Sequence, residues 1–254
     1  YCIICDADIN RVWVAKQPWE SRIEYFAPCG KAAQRLKAYG VPEERIHLTG
    51  FPLPKELLGD ENLSLLKKDL AQRLFYLDPQ RKFCARHGRN VEYFLGKENC
   101  VFKNDRKLTI TYAVGGAGAQ KEIGGKITQS LKEKLRAGEV RLNLVAGIRQ
   151  EVNEYFESVK SEVDTAGEFI NIIYSKSLQE YFDQFNRALR NTDILWTKPS
   201  ELSFYSALGI PIIMSPIIGS QEKFNRKWLR EIQAAMKQEK PDYTDQWLND
   251  LLNR

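Results

Sequence analysis

Leu108-Thr-Ile-Thr-Tyr-Ala-Val114, followed at once by Gly115-Gly-Ala-Gly-Ala-Gln120, decides how this chain is read. The first seven residues are mostly β-branched, aromatic or aliphatic, the composition of a strand. The glycines then allow a tight turn that other residues resist. Ile123, Ile127, Leu131 and Leu135 follow at steps of four, which puts them on one helical face. Strand, glycine turn and helix in this order open a parallel α/β layer.

The alternation continues downstream. Strands are expected over residues 140–146, 169–174, 193–196 and 210–215. Helices between them carry Val152, Tyr155, Phe156 and Val159, then Leu178, Phe182, Phe185 and Leu189, with a short one over 203–208. Short apolar strands suit a sheet covered on both faces, joined by right-handed crossovers. A Rossmann-like domain is therefore expected over residues 107–235. Residues 220–254 read as helical, broken at Pro241, with 236–254 as a C-terminal helix.

Upstream, residues 1–54 read as part of another α/β domain. Tyr1-Cys-Ile-Ile-Cys5 looks like the interior of a buried strand, so residues before Tyr1 are expected. A second strand lies at Tyr25-Phe-Ala-Pro28 and a helix over 30–39, with Ala33, Leu36 and Lys37 inward. Gly40 and Pro42 stop this helix. A third strand, Arg45-Ile-His-Leu-Thr49, leads into Gly50-Phe-Pro-Leu-Pro54, whose two prolines mark a hinge. Residues 55–106 form a helical linker, with Leu63, Leu65, Leu66, Leu70 and Leu74 at helical spacing in a helix over 62–95. Its basic and aromatic residues, Arg73, Phe75, Tyr76, Arg81, Lys82, Phe83, Arg86 and Arg89, read as a solvated amphipathic face rather than a nucleic-acid surface.

The 254 residues, 43% hydrophobic and 28% charged, suit a globular chain with a substantial core and exclude wholesale disorder. The formal charge of +5 is compatible with an anionic ligand but does not require one. Five scattered cysteines favour a reducing compartment. Cys2-x-x-Cys5 lacks a second Cys or His pair, so no metal site is expected. No apolar run approaches the length of a membrane span.

In open parallel sheets ligands bind beyond the carboxyl ends of the strands. Gly115, Gly116, Gly118 and Gln120 stand at one such end, where glycine lets a phosphate approach and the helix start offers N–H groups. Gly147 and Arg149 stand at the next, the arginine suited to a diphosphate. Lys198, Ser200 and Glu201 follow a third strand. Ser200 is expected to begin a second anion-binding helix, with Glu201 as a dipole-favoured residue or a hydroxyl acceptor. Gln221, Glu222 and Asn225 gather donors and acceptors suited to sugar hydroxyls.

These motifs resemble those of the GT-B glycosyltransferases that include the lipid-linked N-acetylglucosaminyltransferase of peptidoglycan synthesis and the monogalactosyl- and glucosyl-diacylglycerol synthases. Gly115–Gln120 resembles their Gly-Gly-x-Gly-Ala stretch, Gly147-Ile-Arg149 a Cys-Gly-Arg-Asn turn, and Thr192-Asp-Ile-Leu-Trp-Thr-Lys-Pro199 the strand before the donor loop. Gly219-Ser-Gln-Glu222 with Asn225 resembles Gly-Gln-Glu-x-x-Asn. Ile4-Cys-Asp6 resembles the Val-Thr-Asp of an N-terminal domain. The resemblance implies a GT-B-like α/β fold in which the C-terminal Rossmann-like domain is accompanied by the remnant of an N-terminal one. It implies transfer of a sugar from a nucleotide donor, uridine diphosphate-linked, to a hydroxyl acceptor such as a lipid, without metal or other cofactor and without nucleic acid. A nucleotide-sugar epimerase or a non-catalytic binding protein of the same fold are the alternatives. The setting would be cytoplasmic, with peripheral contact at the inner membrane face. Uracil would lie near residues 173–175, at Tyr174. Phe204 stands where many relatives keep a ribose-binding Glu, and their glycine-rich loop with a catalytic His has no counterpart. Asp6 and Asp8 are left as candidate bases.

Overall fold

The computed structural model describes residues 1–102, 106–115, 118–164, 167–219 and 221–253, apart from the side chains of Glu201 and Gln221. Strands β1 (Cys2–Ile3), β2 (Tyr25–Ala27) and β3 (Ile46–Leu48) pair in parallel in that order. Helix α1 (Gly30–Ala38) crosses from β2 to β3. Its buried positions are Ala32 and Leu36, one turn apart; Lys37 points to solvent and Ala33 is only half-buried, which corrects the inward face expected. Ile4, Ile9, Val14, Tyr25, Ala27 and Val41 complete a small core. In the run 1–5 only Ile4 is buried, because β1 is an edge strand.

Among the described residues, 55–106 hold three α-helices, α2 (Lys55–Leu58), α3 (Ser64–Leu77) and α4 (Lys82–Leu95), and a 3-10 helix, Lys97–Cys100. The single helix expected over 62–95 breaks at Asp78-Pro79, since proline lacks the N–H and clashes with the preceding turn. The Asp78 carboxylate starts α4 afresh by accepting from the amides of Phe83 (3.2 Å) and Cys84 (2.8 Å). Arg73 does not lie on a solvated face. It is buried, and its guanidinium donates to the carbonyls of Thr192 (2.8 Å), Leu208 (2.9 Å) and Leu189 (3.5 Å).

The large sheet contains β4 (Leu108–Ala113), β5 (Val140–Gly147), β6 (Ile170–Tyr174), β7 (Ile194–Thr197), β8 (Ile212–Met214) and β9 (Ala235–Lys237). All pairs are parallel, in the order β6-β5-β4-β7-β8-β9. Helices α5 (Lys121–Ser130), α6 (Lys132–Arg136), α7 (Gln150–Val163), α8 (Leu178–Arg190) and α9 (Gln221–Glu231) connect them, with a 3-10 helix at Glu201–Leu208, and α10 (Thr244–Asn253) closes the described chain. Strand β9 falls where helix was expected. Ala-Met-Lys has no strand propensity of its own, and the open edge of β8 decides the matter.

Alternate residues of each strand serve opposite faces. Ile110, Tyr112, Leu142, Leu144 and Trp196 pack with Ile127, Phe156 and Leu248 on one side. Ala113, Val145, Ile173 and Leu195 pack with Phe185, Leu189, Tyr205 and Leu229 on the other. In α8 only Phe185 and Leu189 of the expected stripe are buried; Leu178 and Phe182 are exposed in its first turns. Among the described residues no helix is long and apolar enough to cross a membrane.

Two buried carboxylates tie acid sensitivity to this architecture. Burial pushes the Asp164 carboxyl up, but the amides of Ile170, Phe169 and Glu168, at 2.7 to 3.0 Å, hold it below the ordinary value. Asp78 is likewise lowered, its burial outweighed by the amides of Cys84 and Phe83. Both are stronger acids folded than unfolded. Their stabilisation is complete above the unfolded value of about 4 and is lost as pH falls through the folded values. The melting temperature should therefore fall as pH drops below about 4, and Asp164→Asn should flatten that slope. An unchanged slope in the variant would remove Asp164 as a source.

Candidate functional site

The chain runs outward from β4 to β5 and β6, then returns to the other side of β4 as β7. Beyond the carboxyl ends of β4 and β7 the crossovers diverge to opposite faces, which opens a crevice where a ligand can sit. Gly115 leaves β4 at this point and Lys198 leaves β7 beside it. A Cβ built on Gly115 would collide with Lys198 Cε, so the lysine side chain rests directly on the glycine. The Lys198 ammonium donates to Glu222 Oε1 at 3.0 Å, and both side chains are almost fully buried. Glu222 Oε2 also accepts from the amides of Ile218 (2.6 Å) and Gly219 (3.3 Å). Burial pushes this carboxyl up, but the Ile218 amide, Lys198 and the Gly219 amide together hold it below the ordinary glutamate value.

The other expected residues frame the pair. Gly118 and Gln120 both take positive φ (71° and 70°), and Gln120 caps α5. The Gln120 amide donates to the Pro216 carbonyl at 2.9 Å, which ties this turn to the loop before α9, and its Oε1 is buried without a hydrogen-bond partner among the described residues. Gly147 ends β5 at φ 68°, and Arg149, exposed, is the N-cap of α7. Tyr174 is half-buried at the end of β6. Gly116 lies outside the described residues, as do the side chains of Glu201 and Gln221.

Of the backbone donors expected at these turns, those of Gly118 and Ser200 are engaged locally. The N–H of Gly118 donates to Gly115 O (2.7 Å), that of Arg149 to Ala146 O (3.2 Å) and that of Ser200 to Lys198 O (2.8 Å). Each is consumed by its own tight turn, so these three amides do not form a cradle for an anion. Ser200 starts a 3-10 rather than an α-helix. Its hydroxyl, like that of Ser203, is buried with no hydrogen-bond partner among the described residues. Ser175, beside the expected uracil position, spends its N–H on Gly147 O at 3.1 Å. Lys198 brings a positively charged side chain to this edge. Its pairing with Glu222 was not foreseen, since 24 residues separate them and no spacing rule links a strand end to a later helix start.

One turn beyond Glu222, Asn225 joins this edge to the N-terminal strands. It accepts from the Ala7 amide (2.9 Å) and donates to Asp6 Oδ1 (2.8 Å) and to the Ser200 carbonyl (3.5 Å). It also lines a cavity of about 680 Å³ walled by Asp6, Asp8, Asn10, Arg35, Tyr39 and Phe224. The cavity does not reach Gly115, where Lys198 fills the space. Asp8 is gripped at both oxygens by Arg35 (3.1 and 3.0 Å) and accepts from the Ile9 amide, the surroundings of a structural carboxylate. Asp6 is half-buried in the same cavity wall and accepts from Asn225 Nδ2 at 2.8 Å.

Residues 148–253 match a family model described as Domain of unknown function (DUF6938), a span that includes Lys198, Glu222 and Asn225 but not Gly115. A search of curated proteins gave no match. Among solved structures, a protein assigned as UDP-N-acetylglucosamine 2-epimerase from Listeria monocytogenes superposes with TM-score 0.51 at 16% identity, over 92% of this chain and 52% of that one. The fold is of the GT-B type. MnaA of S. aureus, solved with UDP, gives 0.48 at 12% identity over 91% of this chain and 51% of its own. MurG of Acinetobacter baumannii gives 0.45 at 14%, over 91% and 64%. The chain spans about half the length of the first two structures. At such identities the likeness speaks for the fold alone.

Proposed function

We propose that the carboxyl edge of the six-stranded sheet binds the diphosphate of a nucleotide sugar and that the chain is the donor-binding part of a glycosyltransferase. One observation carries this reading. A nearly buried lysine lies at the topological switch point, beside a glycine, where parallel sheets of this order receive phosphates. Such a cation stabilises the charge that collects on a departing diphosphate, and its low-dielectric surroundings strengthen the effect. The buried hydroxyls of Ser200 and Ser203, without hydrogen-bond partners among the described residues, supply further donors.

In the transfer step the acceptor oxygen bonds to the anomeric carbon. The bond from that carbon to the diphosphate breaks, its electron pair leaves with the diphosphate, and the acceptor proton passes to Asp6. Asn225 bonds Asp6 and the Ser200 carbonyl at once, so the proposed base and the donor edge share one support. The domain division at residues 54, 106 and 235 accompanies this proposal, with the donor unit extended to Lys237 by the pairing of β9.

The test is incubation with UDP-sugars labelled in the sugar, alongside calorimetry with UDP. Sugar appearing on an acceptor supports transfer, whereas sugar nucleotide with an inverted centre and no acceptor product establishes epimerisation instead. Arg149→Ala should weaken UDP binding modestly, up to roughly fivefold, because an exposed guanidinium is screened by solvent. Unchanged affinity would take Arg149 out of the site.

A further inference from the structure

Glycine at the end of β4 ordinarily reads as room for a phosphate. Here the room above Gly115 is taken by Lys198 Cε and Nζ, the latter 2.8 Å from where a Cβ would sit. The lysine is held there by Glu222 at 3.0 Å. An ammonium this deeply buried needs a counter-charge, because removing one partner of a buried pair leaves the other desolvated and uncompensated. Glu222 is not equally dependent on the lysine. Its second oxygen accepts from two backbone amides, Ile218 and Gly219, which remain in place whether or not Lys198 stays.

We infer that Glu222 is the resident counter-ion of Lys198: it holds the ammonium over Gly115 in the empty site and yields it to an incoming diphosphate. This rests on the reading of the edge as a diphosphate site, and gives Glu222 a role other than bonding sugar hydroxyls. The exchange keeps the ammonium paired throughout. Lys198 passes from carboxylate to phosphate oxygen, swinging on a flexible stem with three donors, and Glu222 keeps its two amides. The pair also sets anion selectivity. A singly charged anion only matches the carboxylate it must displace, while a diphosphate brings more charge and a second group for the Ser200 side of the crevice. The device therefore favours diphosphates over monovalent anions and lowers the affinity for both below what a bare lysine would give.

The test is calorimetry with inorganic pyrophosphate and with UDP on the wild-type chain and on Glu222→Gln. Glutamine keeps the shape and an acceptor for the amides but removes the competing charge. Pyrophosphate and UDP should bind Glu222→Gln about tenfold more tightly or better. Its melting temperature should be lower than wild type without anion and should rise further than wild type when pyrophosphate is added. Glu222→Asp keeps the charge on a shorter arm and should fall between the two, which preserves the test if the glutamine variant folds poorly. Equal or weaker pyrophosphate binding by Glu222→Gln, with wild type still binding, overturns the counter-ion role and leaves the diphosphate edge standing. Absence of binding in both proteins overturns both.

Discussion

Arg73→Ala should lower the free energy of unfolding by about 3–5 kcal/mol, read from denaturant midpoints with the slope unchanged. The size follows from what the guanidinium serves. Leu189 lies in the last turn of α8, where its carbonyl also accepts from the Thr192 amide (3.2 Å), Thr192 lies just past it, and Leu208 ends the 3-10 helix, so Arg73 donates to carbonyls at two helix ends. Its positive charge also lies at the negative ends of both helices. Burial lowers its pKa to about 10, with Asp193 and Asp69 opposing, so it remains charged at neutral pH. Alanine would take the buried donor from the Thr192 and Leu208 carbonyls, leave a cavity and release α3 from the sheet. Methionine would fill the space but not satisfy the oxygens, so Arg73→Met should recover only part of the loss. A loss below about 1 kcal/mol for Arg73→Ala would mean that water replaces the guanidinium and that α3 is held by its apolar contacts.

Arg73 also marks where the sequence stopped being informative. A basic residue among aromatics on a helix reads as solvated, and nothing local says that its partners lie more than a hundred residues away. Periodicity located β4 through β8 and the helices between them, because each buries a stripe against one sheet and the stripe repeats at the element's own period. It missed β9, whose three residues are strand only because β8 offers an edge, and it ran α3 and α4 together although Pro79 was in view. In the site, strand-end placement marked Gly115, Gly147 and Lys198, since a parallel sheet sends all such ends to one edge. What could not be read was the use of the backbone. Whether the N–H of Ser200 faces a ligand or its own turn depends on ψ at that turn, and the structure gives it to the Lys198 carbonyl. The same limit hid the contact of Asn225 with Asp6 and Ala7, which joins residues at opposite ends of the chain.

Lys198→Met is the variant with the largest expected effect on the site. Methionine keeps most of the stem over Gly115 and removes the charge. If Lys198 meets the diphosphate, the loss should be that of a charged hydrogen bond, about 1.5–3 kcal/mol, or a roughly 10- to 150-fold rise in the Kd for UDP. The same variant tests the pairing without any ligand. Glu222 is held below its ordinary pKa partly by Lys198, so in the wild type its contribution to stability is present above the unfolded value and is lost as pH falls through the folded one. Without the lysine that contribution shrinks. The variant should therefore be destabilised most at neutral pH, and the gap from wild type should close in acid, where Glu222 is protonated in both. A uniform destabilisation at all pH values would point to lost packing rather than lost charge. Unchanged UDP affinity with the pH-dependent gap intact would keep Lys198 as a structural partner of Glu222 and move the diphosphate elsewhere on the sheet edge.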